Sequence, residues 1–384
     1  MRDSSAQMIR QLVGFPTVSR DSNLELIHWV QEYLNGFGIE SRLVPNEDGS
    51  KANLYATVGP AVEGGVVLSG HTDVVPVDGQ PWDTDPFSIV EKGGKLYGRG
   101  TCDMKGFLAI GLGMIPDMLK SGMTRPIHFA LSYDEEVGCL GAPDMIVEMA
   151  RELPKPHAVI VGEPSSMRVI NAHKGMTGME TIVTGHEAHS SQTHRGVSAV
   201  MTAARLITFL DDMAKEKASG PHSTDGFEPP YTSIHVGVVH GGTATNIISR
   251  ECRFNWDVRN VPEDSYQDIL DRFYDYCDSL LPAMKAIAPE ANIETIVHVA
   301  APPLRPEPQD GRAERLAKQL SGRNSAEVVP YGTEGGQFQE AGFSAVICGP
   351  GSIDQAHQPN EFIAISQVEA CESFIRRLIE HQSA

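Results

Sequence analysis

Between residues 21 and 37 the apolar side chains Leu24, Leu26, Ile27, Trp29, Val30, Tyr33 and Leu34 recur at helical spacing, and Gly36 and Gly38 close the run. The spacing predicts a helix there, preceded by an amphipathic first helix within residues 1–15. Short β-rich runs follow at 53–58, 66–68, 127–132 and 158–161, the second and fourth closed by Ser69-Gly70 and Gly162. Helical patterns at 105–120 and 142–151 lie between them. Strand and helix in alternation predict an α/β fold: a mostly parallel sheet covered by helices on both faces.

The middle third has a different order: strand-like 178–184, helical 197–213, strand-like 232–239 and 251–258, helical 265–288, strand-like 292–299. This βαββαβ order suits an antiparallel sheet with two helices on one face. The Gly- and Pro-containing stretch 219–230 reads as a loop within it. After Pro302-Pro303 the alternation resumes, helical at 312–321, extended at 344–347 and helical at 366–382. A discontinuous α/β domain with an inserted α+β domain is the expected architecture.

Composition narrows the function. The chain has 384 residues, 41% hydrophobic, enough for two or three cores. Fifty Asp+Glu against 31 Lys+Arg give a net charge of −19, which argues against nucleic acid and suits a cationic or zwitterionic small molecule. Six cysteines without C-x-x-C spacing indicate neither a zinc ribbon nor a disulfide framework, and favour the cytoplasm. Polar residues interrupt the first fifteen positions, and no run approaches the roughly 18 apolar residues of a membrane span, so neither signal peptide nor membrane contact is expected.

Position carries the chemistry. His71 and Asp73 follow the strand at 66–68, Asp103 lies in Gly98-Arg-Gly-Thr-Cys-Asp-Met-Lys-Gly106, Glu135 and Glu136 follow 127–132, Glu163 follows 158–161, and His357 follows 344–347. In an open α/β sheet the ligand crevice lies beyond those strand ends, so five segments could converge there. Two histidines with three carboxylates form a mixed N/O donor set suited to Zn²⁺, Co²⁺ or Mn²⁺. A pair of such ions acidifies water and polarises a carbonyl, the requirements of amide hydrolysis. One of the adjacent Glu135-Glu136 pair can bind metal while the other acts as general base, and Asp73 suits the role of accepting the imidazole's other N–H.

Other motifs carry less. His186-Glu-Ala-His189 has i,i+3 spacing instead of the i,i+4 of H-E-x-x-H, no G-x-S-x-G elbow occurs, and Gly111-Leu-Gly113 falls inside a predicted helix without a third glycine. Cys102 has no activating partner in sequence and is expected to be buried and inert.

In order and spacing, Ser69-Gly-His-Thr-Asp-Val-Val-Pro76, the Gly98–Gly106 segment, Asp134-Glu-Glu-Val-Gly138 and Gly162-Glu-Pro164 resemble the M20 family of dinuclear zinc peptidases and deacylases, along essentially the whole chain. The resemblance implies a catalytic domain of residues 1–176 and 302–384, and a lid and dimerisation domain of residues 177–301. It implies two divalent ions, Zn²⁺ with Co²⁺ possible, with His71 and Glu163 on one, Glu136 and His357 on the other, and Asp103 bridging. Glu135 would be the base. A cis peptide after the bridging aspartate is also implied.

In the lid, Gly185-His-Glu-Ala-His-Ser-Ser-Gln-Thr-His194 resembles the segment from which relatives send a histidine into the partner subunit's site, His194 matching best and His189 next. That implies a homodimer and a donor for the oxyanion. Gly241-Gly-Thr-Ala-Thr-Asn246 and Asp257-Val-Arg259 resemble the segments that bind the substrate's α-carboxylate. Gly349-Pro-Gly-Ser-Ile-Asp-Gln-Ala-His-Gln-Pro-Asn-Glu361 and Tyr331-Gly-Thr-Glu334 resemble members that act on N-acetyl-L-ornithine, which implies its deacetylation to L-ornithine and acetate. Glu334, or another acid of the pocket, is the candidate partner of the substrate's side-chain ammonium. The alternatives are desuccinylation of succinyl-diaminopimelate, a broader N-acyl-amino-acid amidohydrolase or carboxypeptidase, and a metal-binding protein without catalysis.

Overall fold

The computed structural model describes residues 1–220, 226–309 and 311–384. The chain begins α1 (Asp3–Val13), α2 (Leu24–Asn35), β1 (Ser41–Pro45), β2 (Ala52–Val58), β3 (Val66–His71), β4 (Val90–Lys92), β5 (Lys95–Tyr97), α3 (Lys105–Gly113), α4 (Ile115–Lys120), β6 (Ile127–Ser132), α5 (Ala142–Glu152), β7 (Ala158–Pro164) and β8 (Val169–His173). Next come β9 (Met176–Thr184), α6 (Ala199–Ser219), β10 (Ser233–Gly241), β11 (Glu251–Arg259), α7 (Tyr266–Ile287) and β12 (Asn292–Ala301). The last part is α8 (Arg312–Ser321), β13 (Ala326–Val329), α9 (Gly335–Glu340), β14 (Ala345–Gly349), β15 (Phe362–Ala364) and α10 (Ile365–Ser383). Two compact units result: Met1–Ala172 with Leu304–Val328 and Thr333–Ala384, and His173–Pro303 with Val329–Gly332.

In the first unit an eight-stranded sheet runs β1-β2-β6-β3-β7-β14-β8-β13. Its centre is parallel, pairing Val66 with Ile127 and with Ala158, and Ala345 with Val159. Toward the edges β1, β2 and β8 pair antiparallel, so the sheet is mixed. Every residue of β3, β6, β7 and β14 is buried, which explains their nearly unbroken apolar reading in place of alternation. The shared register brings the C-terminal ends of these four strands to one edge.

Helix α3 is buried at every position and packs against α1, β3 and β7, as expected of a helix apolar all round. The single helix expected over 105–120 is two, parted at Met114. Pro116 in the first turn of α4 has no N–H to continue the α3 ladder and crowds the carbonyl four residues back. The strands missed by periodicity, β1, β4, β5, β8, β13 and β15, are three to five residues long and mostly at sheet edges or in the separate β15-β5-β4 sheet.

The second unit is an antiparallel sheet, β10-β11-β9-β12. Strands β9 and β11 alternate strictly, and their buried sides, including Met179, Val183, Phe254, Trp256 and Val258, form one core with Ala203, Leu206 and Leu210 of α6 and Ile269 and Phe273 of α7. The Trp256 indole donates to Thr181 Oγ1 at 3.0 Å, so the largest ring in this core keeps a partner for its N–H. Ser198 and Ser265 cap the two helices by accepting the N–H groups of Met201 and Gln267. The helix expected over 197–213 runs on to Ser219 through Ala-Lys-Glu-Lys-Ala, all good helix formers. The loop expected at 219–230 lies partly outside the described residues.

Candidate active site

The first unit brings together side chains from five segments. His71 ends β3 and is fully buried; its Nδ1–H donates to the main-chain carbonyl of Asp73 at 2.8 Å. A carbonyl can only accept, so Nδ1 carries a hydrogen, and Nε2 points inward, 3.1 Å from Asp103 Oδ1 and 3.7 Å from Glu163 Oε1. His357 Nε2 lies 3.3 Å from Asp103 Oδ2 and 2.9 Å from Glu136 Oε2. Asp103 thus turns one carboxylate oxygen to each imidazole. Donor atoms of His71, Glu135 and Glu163, and of His71, Asp103 and Glu136, each fall within 4.8 Å of one another. Glu163 sits within β7, one residue before its end, instead of beyond it. The Asp103–Met104 peptide is cis.

Burial dominates the electrostatics. It pushes the carboxyls of Glu135 and Glu163 well above the ordinary range, and that of Glu136 upward, each reinforced by neighbouring carboxylates. Burial opposes ionisation of Asp103 as well, but hydrogen bonds from His357 and His71 outweigh it and hold this carboxyl low. The same bond to Asp103, with that to Glu136, raises His357 to about 10. Among the described residues Glu136 Oε1 and Glu163 Oε1 are buried without a hydrogen-bond partner. Four acids packed around two imidazoles, with orphaned oxygens, are costly without cations at their centre. The donor set fits divalent ions, and a mixed N/O set of this kind needs no thiolate.

Asp73 lies beneath this cluster. Its Oδ2 accepts from Ser19 Oγ at 2.7 Å, and its two oxygens accept the main-chain N–H groups of Glu135 (3.2 Å) and Glu136 (3.3 Å). The imidazole N–H expected at this carboxylate goes instead to the Asp73 carbonyl, with the nearest carboxylate oxygen 3.5 Å away. Cys102 is buried, its thiol pushed far up by burial and donating to Ser352 O at 3.3 Å, consistent with an inert side chain.

Sequence reasoning missed Ser19, Arg99 and Glu361. Arg99 and Glu361 are buried and paired at 2.8 Å, and Glu361 accepts from the Asp103 main chain. Both lie inside the motifs that carry Asp103 and His357, so a charged residue with no solvent role in those motifs was the available signal.

The other candidates are distributed as follows. Glu334, before α9 in the first unit, is buried; burial pushes its carboxyl up to about 7, and its Oε1 has no partner among the described residues. His189, His194, Asn246 and Arg259 belong to the second unit. There the two loop segments meet: Ser190 N–H donates to Asn246 O at 3.0 Å, and His189 bridges to Ile247. His194 is exposed on the short helical turn Thr193–Arg195. Arg259 ends β11 and pairs with Asp257 at 3.0 Å.

Residues 67–381 match the model of peptidase family M20/M25/M40. A relative named acetylornithine deacetylase, from Proteus mirabilis (strain HI4320), is 35% identical over 383 residues, covering 98% of this chain and 96% of that one. Among solved structures, the M20 family metallo-carboxypeptidase Sso-CP2 from Sulfolobus solfataricus superposes with a TM-score of 0.76 at 20% identity, over 100% of both chains. The YXEP protein of Bacillus subtilis, described as a dinuclear metal binding peptidase of the M20 family, gives 0.68 at 14% identity, covering 99% and 97%.

Proposed function

We infer, from the premise that this chain belongs to peptidase family M20/M25/M40 and is a metal-dependent hydrolase of amide bonds, that it removes the acetyl group from N-acetyl-L-ornithine to give L-ornithine and acetate. The observation that carries this reading is the His71–Asp103–His357 series with Glu135 in the same cluster, in a chain 35% identical along its length to a relative of that name. His71 and Glu163 would hold one divalent ion and Glu136 and His357 the other, with Asp103 available to both; zinc or cobalt would suit these donors. Bound there, the ions acidify a water and polarise the acyl carbonyl.

The chain's own residues do the rest. Glu135 takes the proton from the attacking water, its carboxylate lying in one cluster with His71 and Glu163. It then delivers that proton to the departing amine nitrogen, so the base leaves the cycle as it entered. Asp73 holds the main chain of Glu135 and Glu136, fixing the base relative to the neighbouring acid. His194, supplied by a second copy of the chain in a homodimer formed through the second unit, donates to the oxyanion; His189 is the alternative donor. Asn246 and Arg259 receive the substrate's α-carboxylate, and Glu334 its side-chain ammonium.

This reading places the enzyme in arginine biosynthesis, in the cytoplasm. Six buried cysteines, all unpaired, suit a reducing compartment, and no helix among the described residues is long and apolar enough to cross a membrane. The test is release of free amine from N-acetyl-L-ornithine, N-succinyl-diaminopimelate and a neutral N-acetyl-amino acid, with and without chelator. Preferred, chelator-sensitive turnover of acetylornithine is expected. Preference for the succinyl or neutral substrate would transfer the same chemistry to another acyl-amino acid, and activity indifferent to metal would end the reading.

A further inference from the structure

His71 and Glu163 are built into β3 and β7 and take their positions from the sheet. Asp103 and His357 have no such support: Asp103 lies in the loop before α3, and His357 is an exposed loop residue with a left-handed φ of 61°. Their 3.3 Å approach must be set by something else.

A continuous hydrogen-bonded series joins the two loops. Glu361 Oε1 accepts the main-chain N–H groups of Gly100 (3.1 Å), Cys102 (2.8 Å) and Asp103 (3.1 Å), gathering the Asp103 loop around one oxygen. Glu361 Oε2 accepts from Arg99 Nη1 at 2.8 Å, both side chains being almost wholly buried. From Nη2, Arg99 donates to Gln80 Oε1 at 2.6 Å, and from Nη1 to the main-chain carbonyl of Gln358 at 3.3 Å. The Trp82 ring lies 5.2 Å from the guanidinium, closing it off on that face. Gln80 Nε2 then donates to the main-chain carbonyl of His357 at 3.0 Å. The series from Asp103 N–H to His357 carbonyl is therefore complete, running through the Glu361 carboxylate, the Arg99 guanidinium and the Gln80 amide, three planar groups that tolerate little displacement. A buried ion pair is a poor means of stabilising a fold, since well-packed apolar residues serve as well, so its value here lies in geometry.

We propose that Glu361, Arg99 and Gln80 are positioning residues that set the metal position made by Asp103, Glu136 and His357, while the sheet sets the position made by His71 and Glu163. The proposal rests on the two-ion reading above. It makes the two positions unequal: Asp103 serves both, but His357 serves only one, so releasing the His357 loop at Gln80 weakens that ion far more than the other.

The experiment is titration of metal-free protein with Co²⁺, followed by calorimetry and by the visible Co²⁺ spectrum, for wild type, Glu361→Gln and Gln80→Leu. Wild type is expected to take up two equivalents. In Gln80→Leu one equivalent binds within about twofold of wild type, and the other weakens by about tenfold to a hundredfold, the range typical of losing a group that orients a ligand, with a changed absorption band; in Glu361→Gln, which also loosens the shared Asp103, the same equivalent is the more weakened of the two. Gln80 is only part-buried, so Gln80→Leu decides the matter should Glu361→Gln fail to fold. Two equivalents bound by folded Gln80→Leu with wild-type affinities and spectrum, or equal weakening of both, would overturn the proposal alone. Fewer than two equivalents in wild type would overturn the two-ion reading and this inference with it.

Discussion

The Asp73 carboxylate accepts the main-chain N–H of Glu135 at 3.2 Å, so the acid proposed to move the proton is held by its backbone from a buried group on the neighbouring strand's loop. The other Asp73 oxygen does the same for Glu136. One side chain thereby fixes two others without touching either carboxylate. Asp73→Ala is expected to lower kcat by about tenfold to a hundredfold, as for other groups that orient ligands, and to change KM much less. Steady-state kinetics on N-acetyl-L-ornithine check this, and a change confined to KM would contradict the assignment.

Glu135→Gln removes the proposed proton acceptor while keeping the shape of the side chain. A loss of about 10²- to 10⁴-fold in kcat is expected, the range for general acid–base groups, with both metal equivalents retained by elemental analysis. Loss of metal in the variant would mean that Glu135 is a ligand, as its place beside His71 and Glu163 permits.

Metal removal should cost stability as well as activity. The buried acids Glu135, Glu136 and Glu163 repel one another, and divalent cations relieve this. At a hundred times the dissociation constant, each ion binding only the folded chain adds about 2.7 kcal/mol. Thermal melts with chelator and with added Zn²⁺ should differ accordingly, and coincident melts would count against a buried metal site.

Glu334→Gln tests the partner of the substrate's ammonium. Preference for acetylornithine over a neutral N-acetyl-amino acid is expected to fall by about tenfold to a hundredfold, the worth of a hydrogen bond to a charged group. An unchanged ratio of kcat/KM values would remove Glu334 from that role.

His128 supplies a pH dependence away from the site. It is buried in β6, with Nδ1 2.9 Å from Thr57 Oγ1, and burial lowers its pKa from 6.5 to about 4. Below pH 6.5 the unfolded chain takes a proton here that the folded chain refuses until about pH 4, so stability is complete above 6.5 and falls as pH drops through that window. The shift corresponds to roughly 3 kcal/mol. Urea unfolding at pH 7 and pH 4.5 should show His128→Leu losing less stability over this interval than wild type, and equal losses would refute the linkage.

The apolar period of 3.6 in α2, α8 and α10 and the solid apolar runs of β3, β6 and β7 were legible because burial acts on each residue locally. So was the convergence of His71, Asp103, Glu136, Glu163 and His357, since a parallel sheet delivers its strand ends to one edge, where His71 and Glu163 sit on the strands and Glu136 and His357 in the loops beyond them. Short edge strands such as β1 and β13 and the break at Met114 were less so, because pairing partners and a single proline decide them. Which atom of Asp73 meets His71, and that Glu361 gathers the Asp103 loop, were decided only by tertiary structure. Those contacts join residues up to 258 positions apart, and a hydrogen bond's direction depends on three-dimensional placement that no local pattern encodes.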